Sequence, residues 1–325
     1  MLLSVHRDRG GLRRSVEQVL AQTVPDLELI AVDDGARDQT PAVLAELAAA
    51  DPRVRVLTNA ENLGLTPSLN RGLEAARAPW IARIDEGDGW APEKLALQLA
   101  RAAREPELVL LGTQTRYVDA TSGAPLPGPA LPVTDADLRR ALGSAQNPFV
   151  HSSVLFRRIP GMRYNAWPSL PERAMDTISD YELWLRLSLL GGLANLSEPL
   201  VEFAYAGGHA GLTTERASLQ FDLKRRLRAA FASALARDPA GCVLAGLDPG
   251  DQLPAPPGPR RRLSFRLRYG AVSAPPWRRR ALRALGYALD PQDLAFHLWT
   301  KALPGSGLRW TPDPGLRRQL EAATS

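Results

Sequence analysis

One cysteine in 325 residues leaves Cys242 without a partner in the chain, which excludes a disulfide framework and a cysteine-ligated zinc site. It reads as a small buried apolar residue. No run of eighteen or more apolar residues is present, so no segment reads as a membrane span. The opening Met1-Leu2-Leu3-Ser4-Val5-His6-Arg7 offers too short an apolar stretch, and no small-residue cleavage site, for a signal peptide, which implies a cytoplasmic location. Lysine is nearly missing: Lys94, Lys224 and Lys301 are the only three among 40 basic residues. Arginine carries the rest of the positive charge, an enrichment that codon bias and bidentate phosphate binding both explain. Acidic residues are scarce in one region only. Residues 258–325 hold 4 of the 35 Asp and Glu but 13 of the 40 Lys and Arg, a local balance of +9 against −4 for residues 1–257.

What is present is the composition of a soluble globular protein, 45% hydrophobic and 23% charged, with room for one large or two modest domains. Up to about residue 112, short aliphatic runs alternate with amphipathic stretches, which predicts βαβ units and a mostly parallel sheet. The predicted strands are Leu2 to Val5, Leu27 to Val32, Arg53 to Leu57, Trp80 to Ile84 and Leu108 to Leu111. Leu12, Val16, Val19 and Leu20 make one apolar helical stripe between the first two. Thr40-Pro41 and Thr66-Pro67 read as helix starts, and Ala91-Pro92-Glu93 opens a helix to about Arg104.

Ligands of such sheets bind outside the carboxyl ends of the strands. Asp33-Asp34-Gly35, Asn59 to Asn62, and Asp85-Glu86-Gly87-Asp88 therefore deliver four aspartates and two amides to one edge. An edge so acidic needs a divalent cation or basic residues before it can hold a diphosphate. Beyond residue 112 the rhythm is lost. A proline-rich loop from Pro125 to Pro132 leads to a helix from Asp135 to Leu142. A strand is expected from Ser152 to Phe156, a flexible stretch from Gly161 to Ala174, and a helix from Ser179 to Leu190 with Asp180 in its first turn. A further helix runs from Leu219 to Ala236, and Pro254 to Pro259 is the clearest linker.

Taken together these residues resemble glycosyltransferase family 2. The likeness rests on Ser15 to Thr23; on Glu28-Leu29-Ile30-Ala31-Val32-Asp33-Asp34-Gly35 with Asp38 and Thr40; on Asn62-Leu63-Gly64-Leu65 with Asn70-Arg71-Gly72-Leu73; on Arg83-Ile84-Asp85-Glu86-Gly87-Asp88; on Asn147 to Ser153; and on Asp180 to Leu187. It runs from residue 3 to about 205, six motifs in the family's order. It implies an α/β GT-A fold, a Rossmann-like, mostly parallel sheet flanked by helices, with a helical C-terminal extension. Residues 1–112 become the nucleotide-sugar-binding half, 113–220 the acceptor-binding half, and 221–325 a basic helical region interrupted by the 254–259 linker. The activity implied is inverting transfer of a sugar from a nucleotide diphosphate donor, a UDP-sugar by preference, to a glycan or lipid-linked acceptor.

The same resemblance implies the roles. Asp180 is the base, at a helix N-terminus that stabilises a carboxylate. Asp33 and Asp34 contact the nucleoside, Arg71 and Arg83 neutralise phosphate, and Asp85 serves both donor and metal. Asp85 and Asp88, with Glu86 as substitute ligand, hold manganese or magnesium. His151 faces the donor site and Trp184 packs under the acceptor pocket. Two departures stand out: Gly87 replaces the middle aspartate of the family's Asp-x-Asp-Asp, and Ser179 replaces the glutamate before Asp180. No Gln-x-x-Arg-Trp follows, which favours single addition over polymerisation. The departures also fit a catalytically silent module that binds a nucleotide sugar or a partner enzyme. A sugar nucleotidyltransferase would open with a lysine-bearing phosphate loop, and His6 to Gly11 has none. Arg260-Arg261-Arg262, Arg266, Arg268 and Arg278-Arg279-Arg280, with Phe265, Tyr269 and Trp277, fit either a solvated helical face or peripheral contact with the inner face of a membrane. No nucleic-acid-binding module is recognisable.

Overall fold

Aliphatic residues of opposite parity build the two faces of the first half-sheet. In the computed structural model, which describes residues 1–164, 174–205, 210–247, 263, 276–289, 308 and 310–322, β1 (Leu2–Val5), β2 (Leu29–Asp33) and β3 (Val54–Thr58) pair in parallel in that order. Leu2, Ile30 and Val32 point to one face, which α3 (Leu65–Ala75) covers with Leu69 and Leu73. Leu3, Val5, Leu29 and Ala31 point to the other, beneath α1 (Leu12–Leu20) and α2 (Thr40–Ala50). Burial on both faces is why these strands read as continuous apolar runs. A parallel bridge from Leu2 to Arg83 carries the sheet on to β4 (Trp80–Ala82).

The second half is mixed. It contains β5 (Gly89–Trp90), α4 (Lys94–Arg104), β6 (Leu108–Asp119), β7 (Pro125–Leu126), α5 (Asp135–Gly143), β8 (Leu155–Arg157), α6 (Ser179–Leu187) and β9 (Gly192–Tyr205). The order is β4-β8-β6-β9-β5, with β7 on β6; only β6 and β9 run parallel, the other pairings being antiparallel. The parallel expectation thus describes the first four strands. β6 was expected to stop at Leu111 and β9 was not foreseen. Gly112 and Pro199 look like breakers in the sequence, whereas the pair absorbs them through register shifts around Gln114. The strand expected from Ser152 is also shorter: His151–Ser153 forms a 3-10 turn, and pairing begins at Leu155.

Helix α6 runs through the core with every residue but Asp180 buried, and it ends at Leu187 rather than Leu190. Glu182 and Arg186, one turn apart and both fully buried, form a bidentate pair at 2.6 and 2.7 Å. Arg186 also donates to the carbonyls of Val243 and Arg163, and Glu182 accepts the Leu247 N–H at 2.9 Å. That pair ties α8 (Pro239–Ala245), which follows α7 (Ala210–Arg237), to α6. Two outlying helices follow, α9 (Pro276–Leu289) and α10 (Pro314–Ala322). The 254–259 linker and most of the 260–268 basic cluster lie outside the described residues. No helix among the described residues is long and apolar enough to cross a membrane.

Candidate active site

The carboxyl ends of β2 and β3 meet through Asp34. Its carboxylate, 2% exposed, accepts the Asn59 side-chain N–H at 2.9 Å and the backbone N–H groups of Leu63 and Gly64 at 2.8 and 2.9 Å. Asp33 beside it accepts the Ala36 N–H at 2.9 Å. Arg71 donates to the Thr58 carbonyl and to Asn59 Oδ1, both at 2.6 Å. Asp34 and Arg71 therefore first of all shape the 59–64 turn. The next two amides, Leu65 and Thr66, are taken at 3.1 and 2.8 Å by Asp176, from the 3-10 turn just before α6. Four consecutive N–H groups at the start of α3 are thus shared between a carboxylate of the donor strand and one beside the helix that carries Asp180.

After β4 the backbone presents Arg83, Asp85, Glu86 and Asp88. Arg83 is fully buried and pairs with Asp85 Oδ1, while its Nε and Nη1 have no hydrogen-bond partner among the described residues. Burial works against the Asp85 charge, and Arg83, His151 and Ser152 together outweigh it, holding the carboxyl below its usual range. Ser152 ties the two aspartates together: its hydroxyl donates to Asp88 Oδ2, stands 3.3 Å from Asp85 Oδ2, and accepts the Asp85 N–H at 3.0 Å. Asp88 Oδ1 accepts the Ala204 N–H of β9 at 3.0 Å. Burial, and then the Asp85 charge, push Asp88 up to about 7. Glu86 faces elsewhere. Its Oε1 accepts the Arg9 and Gly11 N–H groups at 3.2 and 2.9 Å, bracing the turn that opens α1. Gly87 has φ +91, a conformation that favours glycine, so an aspartate there would be strained.

Asp85 and Asp88, converging on one hydroxyl, fit a hard cation that completes its shell with phosphate and water. Glu86 does not join them, and among the described residues no group of three or more His, Cys, Asp or Glu converges on a metal position. Opposite this edge, His151 Nε2 bonds the Tyr164 hydroxyl at 3.1 Å. Burial, reinforced by Arg83, lowers its pKa to about 4, so the ring is neutral at physiological pH. Trp184 is fully buried, packed edge-on against Phe149, His151 and Phe156 at 5.6 to 6.1 Å, as core rather than as a sugar platform. Asp180 begins the first turn of α6, its Oδ2 accepting the Asn147 side-chain N–H at 2.6 Å.

Residues 3–160 match the family model of Glycosyl transferase family 2. Over those residues the chain belongs to that family. Among its relatives, the succinoglycan biosynthesis protein ExoO of Rhizobium meliloti (strain 1021) is 36% identical over 157 residues, 48% of this chain and 42% of that protein. The chain spans less than two thirds of the length of each of the first curated relatives it matches. Among solved structures, S. aureus TarS 1–349 in complex with UDP-GlcNAc aligns at a TM-score of 0.54 and 13% identity, covering 99% of this chain and 90% of that one. The mannosyltransferase PcManGT from Pyrobaculum calidifontis, in complex with GDP-Man and Mn2+, aligns at 0.48 and 16% identity, covering 99% and 84%.

The matched stretch holds every edge residue but ends before Asp176 and Asp180. Ser152, Asn147 and Asp176 take no role in the sequence reading. Ser152 and Asn147 sit in a quoted motif, but nothing local assigns them a partner, and the Asp176 contact spans 110 residues. Asp88 carries a pH signature. Its folded pKa lies above the unfolded value, so its contribution to stability is present at low pH and is lost as pH rises through about 7. Melting temperatures at pH 5 and pH 8, without added metal, should therefore drop more steeply for the native protein than for Asp88→Asn; equal drops would remove Asp88 as the cause.

Proposed function

We propose that the chain moves a sugar from a nucleotide diphosphate to an acceptor hydroxyl with inversion, one sugar per encounter, in the synthesis of a cell-surface polysaccharide or glycoconjugate. The observation that carries this is that the Arg83–Asp85 pair and Asp180 act electrostatically on the same two bonded side chains, His151 and Tyr164. Arg83 pairs with Asp85 at the edge. Asp180 sits in the first turn of α6, where the dipole favours a carboxylate. An in-line displacement needs this pairing, a base for the acceptor proton and charge relief for the departing diphosphate. Asp33, Asp34 and Arg71 frame the nucleoside end through the 59–64 turn. Asp85 and Asp88 would hold manganese or magnesium, which supplies charge neutralisation on the two phosphates when bound. His151, neutral, and Tyr164 line the space between. A UDP-sugar is the donor favoured, and a glycan or lipid-linked molecule the acceptor. Arg278 and Arg280, exposed on α9 beside Trp277, which is 72% exposed, suit peripheral contact with an anionic membrane face.

Glu86 and Gly87 favour a second reading, a non-catalytic module that binds a nucleotide sugar. Incubating the chain with a panel of nucleotide sugars and scoring release of free nucleotide separates the two: turnover supports the enzyme, and binding without turnover supports the module. The cation has its own readout. UDP should raise the melting temperature in the presence of manganese and leave it unchanged in chelator, because bare Asp85 repels the diphosphate. A shift of the same size in chelator would remove the metal from this site.

A further inference from the structure

Asp180 is held by more than its own helix. Its Oδ1 accepts the Tyr181 N–H at 2.7 Å and its Oδ2 the Asn147 amide at 2.6 Å. Each carboxylate oxygen keeps a lone pair, so an acceptor hydroxyl can still reach it.

Asn147 arrives there by a costly turn. Beyond α5, Ala145 takes φ +57, the one positive φ at a non-glycine among the described residues, and it is 5% exposed. A side chain in that conformation is strained, and glycine is the usual occupant. The N–H groups of Ala145 and Gln146 bond back to Leu142 and Ala141 at 3.0 Å, which closes α5 and swings the chain toward α6. Asn147 Oδ1 accepts the Phe149 N–H at 3.3 Å, and that bond leaves the amide NH2 for Asp180.

A cation reaches this corner from a third element. Lys224 of α7 places its Nζ 5.9 Å from the centre of the Tyr181 ring, next along the chain from Asp180, and interacts electrostatically with Asp180. Burial lowers the Lys224 pKa and Asp180 raises it. Of the other groups at this corner two are neutral and one, Arg228, adds positive charge beside Tyr181. His151 is neutral above its lowered pKa, Tyr164 is held in its neutral form by burial, and Arg228 of α7 donates to the Gly143 carbonyl.

We infer that Asn147 and Lys224 are positioning residues for the base, Asn147 aiming the Asp180 carboxylate and Lys224 keeping it charged beside the apolar core. The inference rests on the reading of Asp180 as the base. A donated hydrogen bond and a nearby cation both favour the ionised form, which is the form that accepts a proton.

The near absence of lysine makes the test direct. Protein labelled with 13Cε-lysine gives signals from Lys94, Lys224 and Lys301 alone, and loss of one signal in Lys224→Met assigns Lys224. Its midpoint is expected to fall by about one unit in Asp180→Asn, where the opposite charge is gone. Asn147→Asp, which keeps the shape, should add an inflection of the Lys224 signal near neutral pH, because two adjacent carboxylates share a proton. In hydrolysis of the UDP-sugar that the chain turns over, the acid limb of the pH–rate profile should rise by about one unit in both Asn147→Asp and Lys224→Met, with Lys224→Arg restoring it. A merely structural role lowers the rate at every pH and leaves the limb in place. A Lys224 midpoint that does not respond to Asp180→Asn overturns the inference, as does an unmoved limb in both variants. Intact turnover in Asp180→Asn would instead remove the catalytic reading, whatever the lysine signal does.

Discussion

Asp180→Asn is expected to lower transfer by on the order of 100-fold or more, because the amide keeps the shape but cannot take the acceptor's proton. Donor affinity should barely change. The residue stands on α6, away from the Arg83–Asp85 edge and from the 59–64 turn that frames the nucleoside end. The amide oxygen can still accept one of the two N–H groups that Tyr181 and Asn147 now supply. If Asp180 served only as a first-turn acid, the change would cost about 0.3 to 1 kcal/mol of dipole interaction and leave turnover intact. The two cases move different quantities. Turnover, donor dissociation constant and melting temperature, measured on one preparation, separate them.

The largest expected effect on stability is elsewhere on α6. Arg186→Leu leaves Glu182 ionised and fully buried with its bidentate partner gone, and it frees the carbonyls of Val243 and Arg163. Breaking a buried pair from one side costs about 3 to 5 kcal/mol. That is a large fraction of the roughly 5 to 15 kcal/mol that holds a domain folded. Replacing both partners, Glu182→Leu with Arg186→Leu, should recover part of the loss, since no unpaired charge remains. Urea unfolding of the three variants checks the order. A single-variant cost below about 1 kcal/mol would show that α8 is docked by apolar contact alone.

How much of this the sequence discloses varies with the range of the interaction. The half from β1 to β4 is legible because its strands are buried on both faces and its helices carry one apolar stripe, both local patterns. Leu12, Val16 and Val19 are buried as their spacing implies. The pairing of β6 with β9 is not legible. It brings Leu108 beside Gly192 and absorbs Gly112 and Pro199 through shifts in register, which only a tertiary partner can stabilise.

The candidate site divides in the same way. Asp85 and Asp180 stand out in the sequence because a motif or a helix start marks them. Glu86 looks like a ligand from its neighbours in sequence, yet the Gly11 N–H, 75 residues away in the chain, claims its carboxylate. Asp34 is marked as a nucleoside contact by the same turn motif, and the structure shows it filled by amides of the 59–64 turn. Asp176 carries no signal, and Ser152 sits in a motif that does not name its role, because their partners lie 110 and 64 to 67 residues distant. Asn147 is displayed by a backbone conformation at Ala145 that no composition rule foretells.

Inverting transfer through one base has a signature that does not depend on the acceptor. With water as acceptor and an α-linked UDP-sugar as donor, the anomer released first can be read by proton NMR before it equilibrates. A single displacement, with Asp180 activating the nucleophile opposite the departing diphosphate, predicts that the β anomer forms first. The α anomer forming first would mean retention, and would contradict the mechanism built on Asp180.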